Sequence, residues 1–202
     1  MNKINQLMQR QNSNSFYNVK ELEKIGFKKI GKNVLISRLS RIYSPHLMEF
    51  GNNIRIDDFA ILSGKIILQD FIHMAAYSSI TAGDVGVEIG SFSGLSNYSK
   101  IFATSDNFTD GYLIGPCVMD ELRNVKKIKV ELRGHSHIGA HSLVLPGSIF
   151  EIGSTLGVMS VNLGRKLNKW GFYYGNPARK IYDLNPSLIL QKEKIMLEEW
   201  KK

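Results

Sequence analysis

The sequence predicts an all-β fold, a parallel β-helix with a short helix before it, one long loop excursion and a helix after it. Three observations carry that reading. With Asn107 to Glu131 set aside as a loop, an aliphatic residue recurs every six positions from Val87 to Asn162. A small residue usually stands four places later, as in Ile89-Gly90-Ser91-Phe92-Ser93-Gly94, Leu95-Ser96-Asn97-Tyr98-Ser99-Lys100 and Ile138-Gly139-Ala140-His141-Ser142-Leu143. The same phase reaches back to Ile30. Such a hexapeptide period is a signature of a parallel β-helix. The aliphatic residue and the small residue two before the next aliphatic both point inward, the pair between them makes a corner, and three faces close one coil.

Taken in order, Asn18-Val19-Lys20-Glu21 has capping-box spacing, with Val19, Leu22 and Ile25 on one side and Gly26 as a stop. This predicts a helical cap over residues 1–29 that covers the unpaired edges of the first coil. The repeat then runs through Ile30, Ile36 and Ile42, slips by two, and continues through Phe50, Ile56, Leu62, Leu68, Met74 and Ile80. A bulge at Thr81 to Gly86 precedes Ile89, Leu95 and Ile101. Residues 105–131 break the period and are too long for a corner; such insertions are usually functional or disordered. The phase returns at Leu132, Ile138 and Val144, is expected to slip near Ile149-Phe150-Glu151, and ends with Ile152 and Val158. The β-helix thus spans 30–181. Over 182–202, Asn185-Pro186 starts a helix with Leu188, Ile189, Ile195, Met196 and Trp200 on one stripe, a packing surface.

The totals bound the function. The 202 residues suit one body, at 43% hydrophobic and 22% charged. No run of about 18 apolar residues could span a membrane, and Met1-Asn2-Lys3-Ile4-Asn5-Gln6 lacks the apolar centre of a signal peptide. One cysteine, Cys117, leaves no internal disulfide and suits a reducing cytoplasm. The net charge of +8 gathers at Lys20 to Arg41, Arg123 to Arg133, Arg165 to Lys180 and Lys192 to Lys202. No nucleic-acid-binding signature accompanies these runs, so phosphates on small ligands fit at least as well as nucleic acid or an anionic membrane, with a merely solvated basic surface as the alternative.

A stiff prism presents its chemistry outside. In the phase read above, His73, Gly94, His137 and Gly157 form one outward column, with His73 and His137 about 10 Å apart at the ordinary strand spacing. His135 falls at the neighbouring corner, stacked with Phe71, Phe92 and Thr155. A metal shared by His135, His137 and His141 is disfavoured within one subunit, because their repeat phases diverge.

The repeat, joined to Leu145-Pro146-Gly147 and to Trp170-Gly171-Phe172-Tyr173-Tyr174-Gly175-Asn176-Pro177-Ala178-Arg179, resembles the left-handed β-helix acyltransferases. Ser105-Asp106-Asn107-Phe108, Gly115-Pro116 and Arg123-Asn124-Val125 narrow the resemblance to sugar acetyltransferases of O-antigen pathways, including those acting on dideoxy-amino-sugar nucleotides. The resemblance implies a left-handed coil, a homotrimer, acetyl-CoA between adjacent prisms and a sugar or nucleotide-sugar acceptor under the loop, with no metal, nucleic acid or membrane insertion. It implies that Arg165, Lys166 and Arg179 meet coenzyme A phosphates, and that Ala140, Gly157 and Ser160 follow the pantetheine arm. His135 is the expected base, His73 the second candidate and Asp106 an orienter or acceptor ligand, with Asp84, Asn107 and Tyr98 at the acceptor; for an amine acceptor, Asp84 and Asp106 are expected to bind the amino group. Where galactoside and maltose relatives carry a loop-opening histidine, this chain has Asp106, and the narrower group's second aspartate is Asn107 here. A catalytically silent scaffold and a zinc hydro-lyase are the alternatives.

Overall fold

The computed structural model describes residues 2–202; Met1 lies outside them. Its body is a parallel β-solenoid whose three inward columns follow the six-residue phase. One face stacks Ile36, Ile56, Met74, Leu95, Ile138, Leu156 and Tyr173 in register. A second stacks Ile42, Leu62, Ile80, Ile101, Val144 and Asn162. The third stacks Ile30, Phe50, Leu68, Ile89, Leu132, Phe150 and Leu167. Strands Ile61–Leu68 and Ser79–Ile89 bend round a corner and join the second and third faces into one sheet. Most of these residues are inaccessible to water, and each buried side chain is worth roughly 1.5–3 kcal/mol.

The small residue has a definite task. The hydroxyls of Ser99, Ser136, Ser148 and Ser154 donate to the carbonyls of Ser96, Arg133, Leu145 and Glu151, at 2.7–2.8 Å. Each bond spans three residues; the carbonyls of Ser96, Leu145 and Glu151 also accept the backbone N–H of Ser99, Ser148 and Ser154, so hydroxyl and amide close the turn together. Asn162 closes its corner similarly, exchanging two hydrogen bonds with the backbone of Arg165.

Downstream of Val144 the phase differs from expectation. It runs unbroken through Phe150, Leu156 and Asn162, while Val158 is 51% exposed and Ile152 half-buried. The apolar pairs Ile149-Phe150 and Val158-Met159 blurred the pattern, because Ile149 and Val158 lie outside the prism. Thr155 therefore replaces Gly157 in the outward column above His137, and Gly153 replaces Thr155 in the corner above His135.

Two helices precede the solenoid, not one. Helix α1 (Lys3–Gln11) is capped by the Asn2 side chain, which accepts from the Asn5 N–H. Its apolar signal is chiefly Ile4 and Met8, too sparse to read as a stripe. Helix α2 (Val19–Ile25) has the Asn18–Glu21 capping box and a left-handed Gly26 stop. Leu22 and Ile25 pack onto the end of the core, whereas Val19 is exposed. Helix α3 (Ser187–Trp200) uses only part of its stripe: Met196 and Trp200 pack against the cluster of Ile4, Met8, Phe16 and Leu35, while Leu188 and Ile195 stay exposed. The chain's two ends clasp, through Lys3 N–H to Glu199 at 2.9 Å and Asn2 Nδ2 to the Trp200 carbonyl at 3.3 Å.

The loop is stemmed rather than loose. Thr104–Asp106 pairs antiparallel with Val125–Lys127, and the coil resumes at Val130–Leu132. The observed phase predicts that Leu156→Ala loses about 2–5 kcal/mol of unfolding free energy and Val158→Ala no more than about 0.5 kcal/mol. Urea denaturation checks both, and equal losses would contradict the assigned register.

Candidate active site

The parallel register lines up Arg55, His73, Gly94, His137 and Thr155 on the outer surface of the first face. Helices α1 and α3 stand beside this column, enclosing a groove of about 970 Å³ with Met8, Ile189 and Met196 among the residues of its walls. No side chain at Gly94 fills the space between the histidines. A Cβ there would lie 3.3 Å from His137 Nδ1, so the His137 ring settles into the glycine's gap.

Both histidines have partners. Asp57 accepts from His73 Nε2 at 2.8 Å and from Arg55 Nε at 2.6 Å. Burial opposes ionisation of Asp57, but hydrogen bonds from His73 and Arg55 outweigh it and hold the carboxyl below its ordinary range. His137 Nε2 lies 3.0 Å from the Ser96 hydroxyl. Loss of hydration first, and the charge of His73 second, push the His137 imidazole below its ordinary 6.5. A neutral imidazole beside a hydroxyl in a half-enclosed groove can accept and return a proton near neutral pH.

His135 sits elsewhere. It occupies a left-handed corner position, φ 56°, with its ring stacked on Phe92 at 5.2 Å, Phe92 on Phe71 at 4.6 Å, and Trp170 tilted over the other side at 5.8 Å. Gly153 leaves room for that tryptophan, since a Cβ there would collide with the indole. The His135 side chain is 4% exposed, its Nε2 is 3.3 Å from Glu193 on α3, and its Nδ1 has no hydrogen-bond partner among the described residues.

Asp106 is the hub of the loop. Its oxygens accept from Arg123 at 3.0 Å and from the Gly115 N–H at 3.1 Å, and these bonds, in that order, hold it below the ordinary carboxylate range. Asn107 binds Thr109 and Asp110 within the loop. Asp84 reaches Lys127 in the loop stem at 3.4 Å. Tyr98 belongs to a half-exposed corner ladder, Phe59, Tyr77, Tyr98 and His141, with rings 4.7–4.8 Å apart.

Of the residues expected around coenzyme A, Ala140, Gly157, Ser160 and Arg179 gather near one corner, where the Ser142 hydroxyl donates to the Gly157 carbonyl at 2.7 Å and Tyr174, paired with Arg179, lies against Gly157, whereas Arg165 and Lys166 lie apart. Lys166 pairs with Glu151 at 2.7 Å on the third face, Arg165 lies in a corner turn, and Arg179 is on the terminal strand beside Tyr174. The Ala140 carbonyl accepts from Met159, the Gly157 N–H donates to Tyr173, and the Ser160 N–H donates to Ser142. Among the described residues no cluster of three or more metal-ligating side chains is found.

The repeat placed His137 in the column but carried no sign of its partner Ser96 or of the Arg55–Asp57 pair. Stacking the coils one step further back from His73 would have placed Arg55 in the column, but its partner Asp57 lies beside the column. In an NMR titration the His137 midpoint is expected below 6.5, moving upward in His73→Asn because a repelling charge is removed. A midpoint above 6.5, or one insensitive to that change, would contradict the described environment.

Comparison with known proteins agrees with this architecture. A dTDP-4-amino-4,6-dideoxy-D-glucose acyltransferase from Escherichia coli is 33% identical over 172 residues, 84% of this chain and 88% of the relative. The structure of AntD, an N-acyltransferase from Bacillus cereus in complex with dTDP and 3-hydroxybutyryl-CoA, matches with TM-score 0.90 and 40% identity, covering 94% of this chain and 100% of AntD. A single-residue variant of AntD holding dTDP-4-amino-4,6-dideoxyglucose and coenzyme A matches with TM-score 0.89 and 39% identity, covering 92% and 100% of the two chains. WeeI from Acinetobacter baumannii shares the fold at 20% identity and TM-score 0.55, covering 73% of this chain and 57% of its own. No protein-family model matches. With this identity sustained over most of both chains, the protein belongs to the dTDP-amino-sugar acyltransferases built on the hexapeptide repeat.

Proposed function

We propose that this protein transfers a short acyl group from coenzyme A to the amino group of a dTDP-linked 4-amino-4,6-dideoxy sugar. The observation that carries the reading is the near-complete match to AntD in complexes holding dTDP, its amino sugar and coenzyme A or an acyl-CoA. The groove's chemistry supports it, since an amine needs only a mild base. The amine nitrogen attacks the thioester carbonyl, a C–N bond forms, the C–S bond breaks, and one N–H proton ends on the departing thiolate.

His137 is the residue best suited to carry that proton, with Ser96 orienting its ring and His73, fixed by Asp57, second in line. This moves the role from His135, whose ring is enclosed by its stack and by α3. Asp106 acts by shaping the loop. Acetyl is the donor that the sequence resemblance implies, and the 3-hydroxybutyryl-CoA in AntD supports testing somewhat longer acyl groups. A homotrimer is supported by the exposed apolar side chains of the loop, Phe108, Ile114 and Met119, and by the corner ladder, surfaces a second copy would cover. No helix among the described residues is long and apolar enough to cross a membrane. A cytoplasmic site of action follows from the proposed nucleotide-linked and coenzyme A-linked substrates, and supply of an acylated sugar to cell-surface polysaccharide follows from the resemblance.

Thiol release from acetyl-CoA and 3-hydroxybutyryl-CoA is the assay. Release is expected with dTDP-4-amino-4,6-dideoxyglucose and not with dTDP-glucose; equal release with both, or none with either, would overturn the reading. Turnover is expected to fall at least about a hundredfold in His137→Gln. A larger loss in His135→Gln than in His137→Gln would return the role of base to His135.

A further inference from the structure

The Arg55 end of the groove holds hydrogen-bond donors that lack acceptors. Arg55 is fixed in place by its Nε bond to Asp57, by a 3.5 Å contact from Nη1 to Gln11 Oε1, and by its guanidinium lying over the Phe16 ring, 5.4 Å from the centroid. Its Nη2 makes no hydrogen bond to any described residue. Asn53 lines the same groove and is 6% exposed; its Oδ1 accepts from Asn33, but its Nδ2 is buried without a partner among the described residues. Across the groove, Lys192 on α3 presents an ammonium with no ion-pair partner among the described residues.

The acidic groups nearby are already engaged. Asp57 has one oxygen on Arg55 and the other on His73, and Glu193 is turned to His135. Leaving the buried Asn53 donor unsatisfied is costly, and the part-exposed guanidinium of Arg55, held in place with a free edge, is suited to an oxyanion. What would complete this end of the groove is a ligand rich in acceptors and carrying more than one negative charge.

Resting on the acyltransferase reading, we propose that Arg55, Asn53 and Lys192 form a pyrophosphate subsite that receives the diphosphate of a nucleotide ester. Arg55 lies three coils from His137 in the same column, about 14 Å at the strand spacing. With side-chain reach at both ends, that span suits a pyranose ring and the phosphates attached to it. The nucleotide sugar and coenzyme A both carry a pyrophosphate, and binding measurements tell the two sources apart.

Isothermal titration of the 202-residue protein with dTDP, coenzyme A and inorganic pyrophosphate, each separately, tests the proposal. Lys192→Met alters an exposed position, and Arg55→Met keeps the aliphatic stem on Phe16, with Arg55→Lys as the charge-retaining control. The dissociation constant of at least one nucleotide is expected to rise about tenfold in each Met variant, to recover in part in Arg55→Lys, and to weaken with salt. A rise for dTDP alone assigns the subsite to the acceptor; a rise for coenzyme A alone assigns it to the donor. Unchanged constants for all three probes in correctly melting variants would overturn the subsite while leaving acyl transfer intact. Wild-type protein that binds pyrophosphate through Lys192 but neither nucleotide would keep the subsite and overturn the acyl-transfer reading.

Discussion

Register between successive coils is the constraint on which the rest depends. Each strand pairs in parallel with the strand one turn away, so residues of equal phase are forced into vertical columns about one strand spacing apart. The corner rings record that spacing: Phe59, Tyr77, Tyr98 and His141 repeat at 4.7–4.8 Å. A shift of one residue in any coil would turn its buried column outward. The aliphatic interior and the serine hydroxyls that close the corners together prevent that shift, and they fix the placement of every outward side chain.

That placement makes the groove chemically asymmetric. One wall is a rigid polar column rising from Arg55 through His73 to His137; the other comes from helices at the two ends of the chain, clasped to each other through Lys3 and Glu199. Rigidity suits the polar wall, since the proposed base and its neighbouring hydroxyl must hold their geometry through a reaction. The glycine at position 94 is as much a part of this arrangement as the histidines, because a side chain there would press on the His137 ring. Asp106 performs a similar service for the loop, tying Arg123 and Gly115 together at its base.

The inward columns were legible in the sequence because few folds besides a flat-faced coil place an aliphatic side chain at every sixth position. Legibility failed where apolar residues crowded together: Ile149 beside Phe150, and Val158 two beyond Leu156, offered competing phases that only packing could resolve. Helix α1 escaped notice because a mostly polar segment acquires its structure from its neighbours. For the candidate site, the column of histidines followed directly from the repeat. Their partners did not, since Asp57 and Ser96 lie next to the column rather than in it and no motif announces them. The resemblance pointed to His135 as base, since it matches a position where the narrower group carries histidine. Its burial between Phe92 and Trp170 depends on Gly153 one coil away and on a helix at the far end of the chain, beyond the reach of local pattern.

The central claim is that chemistry takes place on the first face of the prism, beside the paired Ser96 and His137. A crystal structure of the protein with coenzyme A and dTDP-4-amino-4,6-dideoxyglucose tests it most directly. The sugar's amino nitrogen is expected within hydrogen-bonding reach of His137 or Ser96, with the coenzyme A sulfur close by. Both ligands seated instead along the third face, near Arg133, Glu151 and Lys166, with His137 untouched, would contradict it.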